Sequence, residues 1–194
     1  MNRKAKIERK TKETDITISL NLDGEGESSV DTTLPFLDHM LTLFSRHGLM
    51  DLQVKGGGDT QVDYHHLIED TGIALGEAIK KAVGDKTGIE RYGSAFVPMD
   101  ETLAEVHIDL SGRPYLVYEV KTNGTLKDLD PSLFEDFFRA LSNHAMLNLH
   151  IIVRYGRDAH HVIEAVFKAF ARALARAVSI NPKVKGLPTT KGTL

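Results

Sequence analysis

The chain has 194 residues, 41% of them hydrophobic, no cysteine and a formal net charge of −3 at pH 7. This length supports a packed core in one domain or in two similar halves, and the lack of cysteine excludes disulfides and thiolate metal ligands. The charge gives no overall attraction to nucleic acid, the basic first residues lack the apolar core of a signal peptide, and no apolar run approaches a membrane span. We therefore expect a cytoplasmic protein with no nucleic-acid or membrane partner.

The predicted elements follow the same order in both halves. In the first half, alternating apolar residues predict a strand at 16–22, followed by a helix at 36–47, a strand at 49–55 and a long helix from about 65. In the second half the corresponding segments are 106–110, 132–146, 147–154 and a long helix from about 160. Each half is thus expected to contain two strands, a helix, a strand and a helix. That order indicates an α+β fold in which helices cover one face of each small sheet.

Three gapless blocks indicate that the halves are copies of one unit. An offset of 88 aligns residues 13–24 with 101–112, an offset of 97 aligns 38–54 with 135–151, and an offset of 95 aligns 68–83 with 163–178. The blocks are collinear, and an internal repeat outweighs other sequence signals. We therefore predict two half-repeats, residues 1–93 and residues 94–194 with a C-terminal substrate-binding tail, joined near residues 91–98.

The pentapeptide His-His-x-x-Glu opens the long helix of each half. On a helix, the glutamate lies on the same side as both histidines, and imidazole nitrogens with carboxylate oxygens suit Mn, Fe, Zn, Co or Ni. One copy alone is most simply a solvated helix face, whereas two copies at corresponding positions favour a metal site. The candidate ligands are His65, His66, Glu69, His160, His161 and Glu164.

The repeat also relates His39 to Asp136, at an offset of 97. If His39 is a metal ligand, Asp136 is its counterpart. The alternative for Asp136 is a solvated carboxylate that stabilises the positive end of the helix. Structural roles are expected for four further histidines, which are His47, His107, His144 and His150.

Two arginines and the C-terminal segment indicate an anionic substrate. Arg91 and Arg113 lie in glycine-containing turns, where a guanidinium binds phosphate as a charged fork. Thr190 and Lys191 add a hydroxyl and an ammonium near the C-terminus. Each feature alone is most simply a surface turn or a loose tail. Together with a metal centre, they indicate a phosphorylated small molecule whose other end meets the metal.

Six segments, in one order, resemble the imidazoleglycerol-phosphate dehydratase family of histidine biosynthesis. They are LPFLDHML, HHLIED, GIERYG, DLSGRPY, GRDAHHVIEAVFKAFARAL and TKG. The resemblance implies a hydro-lyase that converts imidazole glycerol phosphate to imidazole acetol phosphate. It also implies a duplicated α+β fold and a homo-oligomer of 24 subunits with a pair of Mn²⁺ ions in each active site at subunit contacts.

The resemblance assigns roles to individual residues. Glu13 corresponds to a substrate-contacting glutamate, and it is our candidate for the general acid and base. The implied metal ligands are His39, His65, His66, Glu69, His160, His161 and Glu164, with Asp136 as a further candidate, and the implied phosphate ligands are Arg91, Arg113, Thr190 and Lys191. Three positions depart from the family pattern: Asp136 replaces the usual histidine, Asp158 replaces asparagine, and Tyr64 stands where many members have aspartate. Aspartate remains a suitable hard donor for Mn²⁺.

Two other functions use the same histidines. A non-catalytic metal store or sensor accounts for the paired pentapeptides but leaves Arg91, Arg113 and Lys191 unexplained. A metal-dependent hydrolase is disfavoured because the order is HHxxE, whereas hydrolases of the HExxH type use the internal glutamate as base.

Overall fold

The computed structural model describes residues 3–193 and has an α+β fold. The first half contains β1 (Lys4–Lys10), β2 (Thr14–Asn21), β3 (Ser28–Asp31), α1 (Pro35–Gly48), β4 (Asp51–Gly58) and α2 (His65–Val83). The second half contains β5 (Tyr92–Met99), β6 (Thr102–Asp109), β7 (Tyr115–Glu119), α3 (Leu133–Ala145), β8 (Asn148–Tyr155) and α4 (Ala159–Val178). The predicted fold class, with helices against one face of each sheet, is confirmed.

Both halves have the same four-stranded sheet. The strand orders are β1-β2-β4-β3 and β5-β6-β8-β7, antiparallel except for the last neighbour, which is parallel. Each half therefore has three strands before its first helix, and the prediction of two was wrong. The additional strands include β3 and β7, which are short and have no fully buried residue. They lack the apolar alternation by which a strand is recognised in sequence.

The strand register confirms the duplication independently. Leu20 pairs with Leu52 in the first sheet, and Ile108 pairs with Leu149 in the second. These pairs are related by the offsets of 88 and 97 that aligned the sequence. The segment joining the two halves runs from 84 to 91, before β5 begins. The predicted join at 91–98 and the boundary between 93 and 94 both overlap β5, so the second half starts earlier than expected.

Ser45 and Ser142, identical in the repeat, end the first helix of each half in the same way. Leu49 and Met146 adopt left-handed conformations after α1 and α3, and their backbone N–H groups bond to the carbonyls of these serines. The serine hydroxyls donate at 2.8 Å to the carbonyls of Met50 and Leu147. Each buried serine thus satisfies backbone groups at the turn that leads into the next strand.

The four helices form one layer in which each helix packs on a helix of the other half. Helix α1 packs on α4 of the other half, and α3 packs on α2. The backbone of α3 comes so close to α2 that a Cβ at Gly72 would lie 2.5 Å from the carbonyl oxygen of Phe137, and one at Gly76 would lie 2.7 Å from that of Leu141. Glycine is required at both positions. Within residues 3–193, none of the helices has the length and apolar character needed to cross a membrane.

Candidate active site

The packing of α1 on α4 brings His39 of α1 to the start of α4. The Nε2 atoms of His39 and His160 lie 3.2 Å and 3.1 Å from one carboxylate oxygen, Oε2 of Glu164. These three donor atoms all lie within 4.8 Å of one another. Ligands about 2.1 Å from a common cation are separated by about 3 Å, so the set has the spacing of a metal shell. The structure thus unites three predicted ligands from two helices of different halves.

The carboxylate of Glu164 is held in its charged form. Burial favours the protonated acid, but the hydrogen bond from Lys168 and the contacts with His39 and His160 outweigh burial and lower the pKa of Glu164. Lys168 Nζ lies 2.6 Å from Oε1, the oxygen that faces away from the histidines. Lys168 therefore fixes the orientation of a ligand, and sequence reasoning did not single it out. The usable signal was its i,i+4 spacing from Glu164.

A second, looser set occupies the equivalent position in the repeat. His65 Nε2 lies 3.7 Å from Glu69, and His65 Nδ1 lies 3.7 Å from Asp136. Asp136 lies beside His65, and His39 lies beside His160, the first histidine of the other pentapeptide. Asp136 is thus the counterpart of His39, as the offset of 97 predicted. The two carboxylates approach opposite nitrogens of one ring. The donors of this set do not converge as the first set does.

The two sets lie at the same end of the helical layer. A cleft of about 740 Å³ is lined by His39 and His160 and also by Tyr64, the residue before α2. The Tyr64 hydroxyl donates at 2.7 Å to Asp128 on the opposite loop. Tyr64, a departure from the family pattern, therefore closes one side of this cleft.

The second histidine of each pentapeptide points away from these sets toward a carboxylate. His66 Nδ1 lies 3.1 Å from Asp59, and His161 Nδ1 lies 2.9 Å from Glu101. Each hydrogen bond raises the pKa of its histidine. Each also leaves Nε2 as the free nitrogen, which is how carboxylates orient histidine ligands of metals. Neither His66 nor His161 joins the three-residue set within this chain.

Glu13 and Glu101 are equivalent in the repeat but differ in environment. Glu101 accepts N–H bonds from Asp158 at 2.9 Å and Arg157 at 3.2 Å. The Asp158 N–H and His161, in that order, are the main causes that lower the pKa of Glu101 to about 2. The Glu13 side chain is 53% exposed and lies 4.0 Å from Nε2 of His66. The Glu101 carboxylate is thus held by backbone N–H groups and His161, whereas the Glu13 carboxylate is exposed beside His66.

Sequence reasoning did not assign Glu101, although the offset of 88 places it on Glu13. It also left the role of Asp158 open. Asp158 is the N-cap of α4, where its carboxylate accepts the backbone N–H groups of His160 and His161. Aspartate and asparagine are equally good caps. This departure from the family pattern therefore preserves the start of the helix that carries the second pentapeptide.

All four predicted phosphate ligands line one pocket of about 490 Å³, formed by Arg91, Arg113, Thr190 and Lys191. Arg91 is partly committed within the protein, because its guanidinium binds both oxygens of Asp109 and donates at 2.9 Å to the carbonyl of Pro188. The hydrogen bonds to Asp109 are the main cause that raises the pKa of Arg91. Arg91 therefore holds the C-terminal segment in place and still has two N–H groups for an anion. Arg113 is exposed in the same pocket.

This pocket lies far from the candidate metal ligands of the same chain. The backbone N–H of Arg91 bonds to Ala177 near the end of α4, whereas His160 lies at its start. Seventeen residues of helix rise about 25 Å. Strand β6 separates the same two regions, because Glu101 beside His161 precedes the strand and Asp109 beside Arg91 ends it. Its eight residues also span about 25 Å.

The other four histidines lie outside these sets. His107 Nδ1 lies 2.8 Å from the Ser94 hydroxyl, and His144 Nδ1 lies 3.3 Å from Glu77. Burial, the largest cause, lowers the pKa of His47. His150 packs against the ring of Tyr115.

Comparison with known proteins identifies relatives of this chain. The family model for imidazoleglycerol-phosphate dehydratase matches residues 32–174. The chain is 56% identical to the imidazoleglycerol-phosphate dehydratase of Syntrophus aciditrophicus (strain SB), over 99% of this chain and 98% of that protein. It is 55% identical to that of Lactiplantibacillus plantarum, over 99% of this chain and 100% of that protein.

Two solved structures share the fold. The dehydratase of Staphylococcus aureus subsp. aureus N315 has a TM-score of 0.82 at 39% identity, covering 92% of this chain and 99% of that chain. The Pyrococcus furiosus protein, solved in complex with (S)-C348, has a TM-score of 0.85 at 34% identity, covering 97% of this chain and 100% of that chain. Similarity therefore extends over the whole architecture.

Proposed function

The chain belongs to the imidazoleglycerol-phosphate dehydratase family, and from that premise we propose that it is a metal-dependent hydro-lyase that forms imidazole acetol phosphate in histidine biosynthesis. The observation that carries the metal dependence is the convergence of His39, His160 and Glu164. A store or sensor would need those ligands alone. Neither needs the pocket lined by Arg91, Arg113 and Lys191, whereas a phosphorylated substrate accounts for it.

The residues fit a divalent cation of the Mn²⁺ type. Imidazole nitrogens and carboxylate oxygens are its preferred donors, and Lys168 and Asp158 already hold Glu164 and the start of α4 in place. The looser set of His65, Glu69 and Asp136 supplies donors of the same chemistry for a second ion. His66 and His161 present free nitrogens outward, which suits ligation of an ion held by another subunit.

The reaction removes a hydroxyl and a C–H proton from a side chain that has no carbonyl to acidify it. A bound cation supplies Lewis-acid stabilisation of negative charge on the substrate imidazole. Glu13 is our candidate to protonate the departing hydroxyl and accept the C–H proton. Its exposure beside His66 supports this role, whereas the Glu101 carboxylate is already occupied by two backbone N–H groups and His161.

The phosphate end of the substrate is assigned to Arg91, Arg113, Thr190 and Lys191. A three-carbon side chain cannot bridge the distance of about 25 Å between this pocket and the metal end of the same chain. We therefore infer that each active site combines the metal end of one subunit with the phosphate pocket of another, in a homo-oligomer of the 24-subunit type expected for the family.

The direct test is turnover. Purified protein is depleted of metal with a chelator, resupplied with Mn²⁺ and incubated with imidazole glycerol phosphate. We expect ketone product only after metal is restored. His160→Ala should lose both bound metal and activity, whereas His107→Ala, a matched histidine outside the site, should keep both. Full activity in the chelated protein would refute the metal dependence but leave the dehydratase assignment in place.

A further inference from the structure

One buried carboxylate of α2, that of Asp70, binds both strands of the hairpin that presents Glu13. Asp70 is 7% exposed, and its two oxygens bind different strands. Oδ1 lies 2.8 Å from the guanidinium of Arg9 near the end of β1. Oδ2 accepts the hydroxyl of Thr14, the first residue of β2. Asp70 therefore spans both strands on either side of the turn that carries Glu13.

The turn itself leaves Glu13 little other support. Thr11 accepts the N–H groups of Glu13 and Thr14, and the Glu13 carbonyl accepts the N–H of Asp59. Apolar packing holds α2 against β1 and β2 along the length of the hairpin. At the end that carries Glu13, Asp70 adds a hydrogen-bonded link to α2, one helical turn after His66 and directly after Glu69. The helix that presents two candidate metal ligands thus also holds the strand that presents the candidate acid and base.

The second half shows that the fold does not need this link. At the repeat positions of Arg9 and Asp70 stand Val97 and Ala165, both packed in or against the hydrophobic core. The strand register supports this alignment, because Arg9 pairs with Ile16 as Val97 pairs with Ala104. There, Glu101 is fixed by its own carboxylate instead. A buried ion pair is seldom worth more than the apolar pair that could replace it, so stability alone does not explain Arg9 and Asp70.

We propose that Asp70 is a positioning residue, which holds Glu13 in register with α2 through Thr14 and Arg9. The inference rests on the dehydratase function proposed above. The contacts of Asp70 with Arg9 and Thr14 are called the clamp below. The proposal predicts that breaking the clamp impairs proton transfer by Glu13 without affecting phosphate binding or metal binding.

The repeat supplies the test variant. Arg9→Val combined with Asp70→Ala installs the apolar pair of the second half and should keep the fold. We expect kcat to fall about ten- to hundredfold, since small misplacements of a reacting group have effects of that size. KM and Mn²⁺ bound per chain, measured by elemental analysis, should not change. Thr14→Val, which removes only the hydroxyl, should also lower kcat, and Thr14→Ser should restore it.

Lys10→Ala is the matched control, because Lys10 and Asp15 form an exposed ion pair across the same hairpin. It should leave kcat unchanged. A second comparison uses Glu13→Gln as background, in which the clamp variants should have no further effect on kcat. Equal losses in both backgrounds, or wild-type kcat in the folded clamp variants, would overturn the role of Asp70. Failure of the wild-type protein to form product would instead refute the proposed function.

Discussion

Glu13 and Glu101 show how one repeat position acquires two roles. Both precede the second strand of their half, and both face the second histidine of a pentapeptide. The Glu101 carboxylate accepts two backbone N–H groups at the start of α4, and no equivalent bond is described for Glu13. This difference comes from neighbouring loops and is not visible in the aligned sequence. The pattern therefore predicts where carboxylates lie but not which one is held by backbone N–H groups.

The exposed carboxylate of Glu13 gives the first prediction. Glu13→Gln preserves shape but removes proton transfer, so kcat should fall strongly while KM changes little. Steady-state kinetics with imidazole glycerol phosphate at saturating Mn²⁺ measures both constants. If kcat stayed intact and only KM rose, Glu13 would be a binding residue, and the acid and base would have to be sought elsewhere.

A contrasting result is expected for the phosphate pocket. Arg113→Ala removes a charged contact to the end of the substrate that does not react, so KM should rise and kcat/KM should fall about ten- to hundredfold. Kinetics with the same substrate tests this, with Arg139→Ala as a control because Arg139 is paired on the surface of α3. A selective loss of kcat in Arg113→Ala would place Arg113 at the reacting centre.

At the level of elements, periodicity predicted the helices and most core strands within a few residues. Helix 132–146 was expected, and α3 spans Leu133–Ala145. The edge strand β3 was not predicted, because it consists of Ser28, Ser29, Val30 and Asp31, and three polar residues in four are typical of a loop. The packing of α1 on α4 and of α3 on α2 was equally hidden. The sequence therefore supplied the candidate ligands, but only the packing showed that His39 lies beside His160 rather than His65.

One pair between strands gives a pH-dependent prediction. Glu105 of β6 is buried and accepts two bonds from Arg154 of β8, which chiefly lowers the pKa of Glu105. A lowered pKa stabilises the fold above the unfolded value of about 4.3, and this contribution is lost as pH falls through the folded value. Glu105→Gln should therefore unfold at lower temperature than wild type near pH 7, with the difference shrinking below about pH 4.

Thermal unfolding of chelated protein across this range is the measurement, since chelation removes any effect of acid on metal binding. Glu8→Gln is the control, because Glu8 forms an exposed pair with Lys6 on β1 and exposed pairs contribute little. A wild-type unfolding temperature for Glu105→Gln at pH 7 would show that the Glu105 pair adds no net stability.

For the whole molecule, ligands contributed by separate subunits would tie assembly to metal. Chelation should therefore reduce the particle mass measured by light scattering, and added Mn²⁺ should restore it. His160→Ala should resemble the chelated protein even with Mn²⁺ present. An unchanged mass after complete removal of metal would mean that other contacts hold the subunits together.

The separation of the two ends of the chain permits a more specific test of shared active sites. His160→Ala has an intact phosphate pocket, and Arg113→Ala has an intact metal end. A site with the metal end of an Arg113→Ala subunit and the phosphate pocket of a His160→Ala subunit therefore contains only wild-type residues. Random co-assembly at equal amounts should place up to about one site in four in that arrangement. The variants are mixed without metal and reassembled with Mn²⁺, and the recovered rate is compared with each variant assembled alone. Because no substrate spans about 25 Å within one chain, the mixture should be more active than the sum of the two variants when the substrate concentration is far below the raised KM of Arg113→Ala. A mixture no more active than the sum of its components would place each complete site within a single subunit.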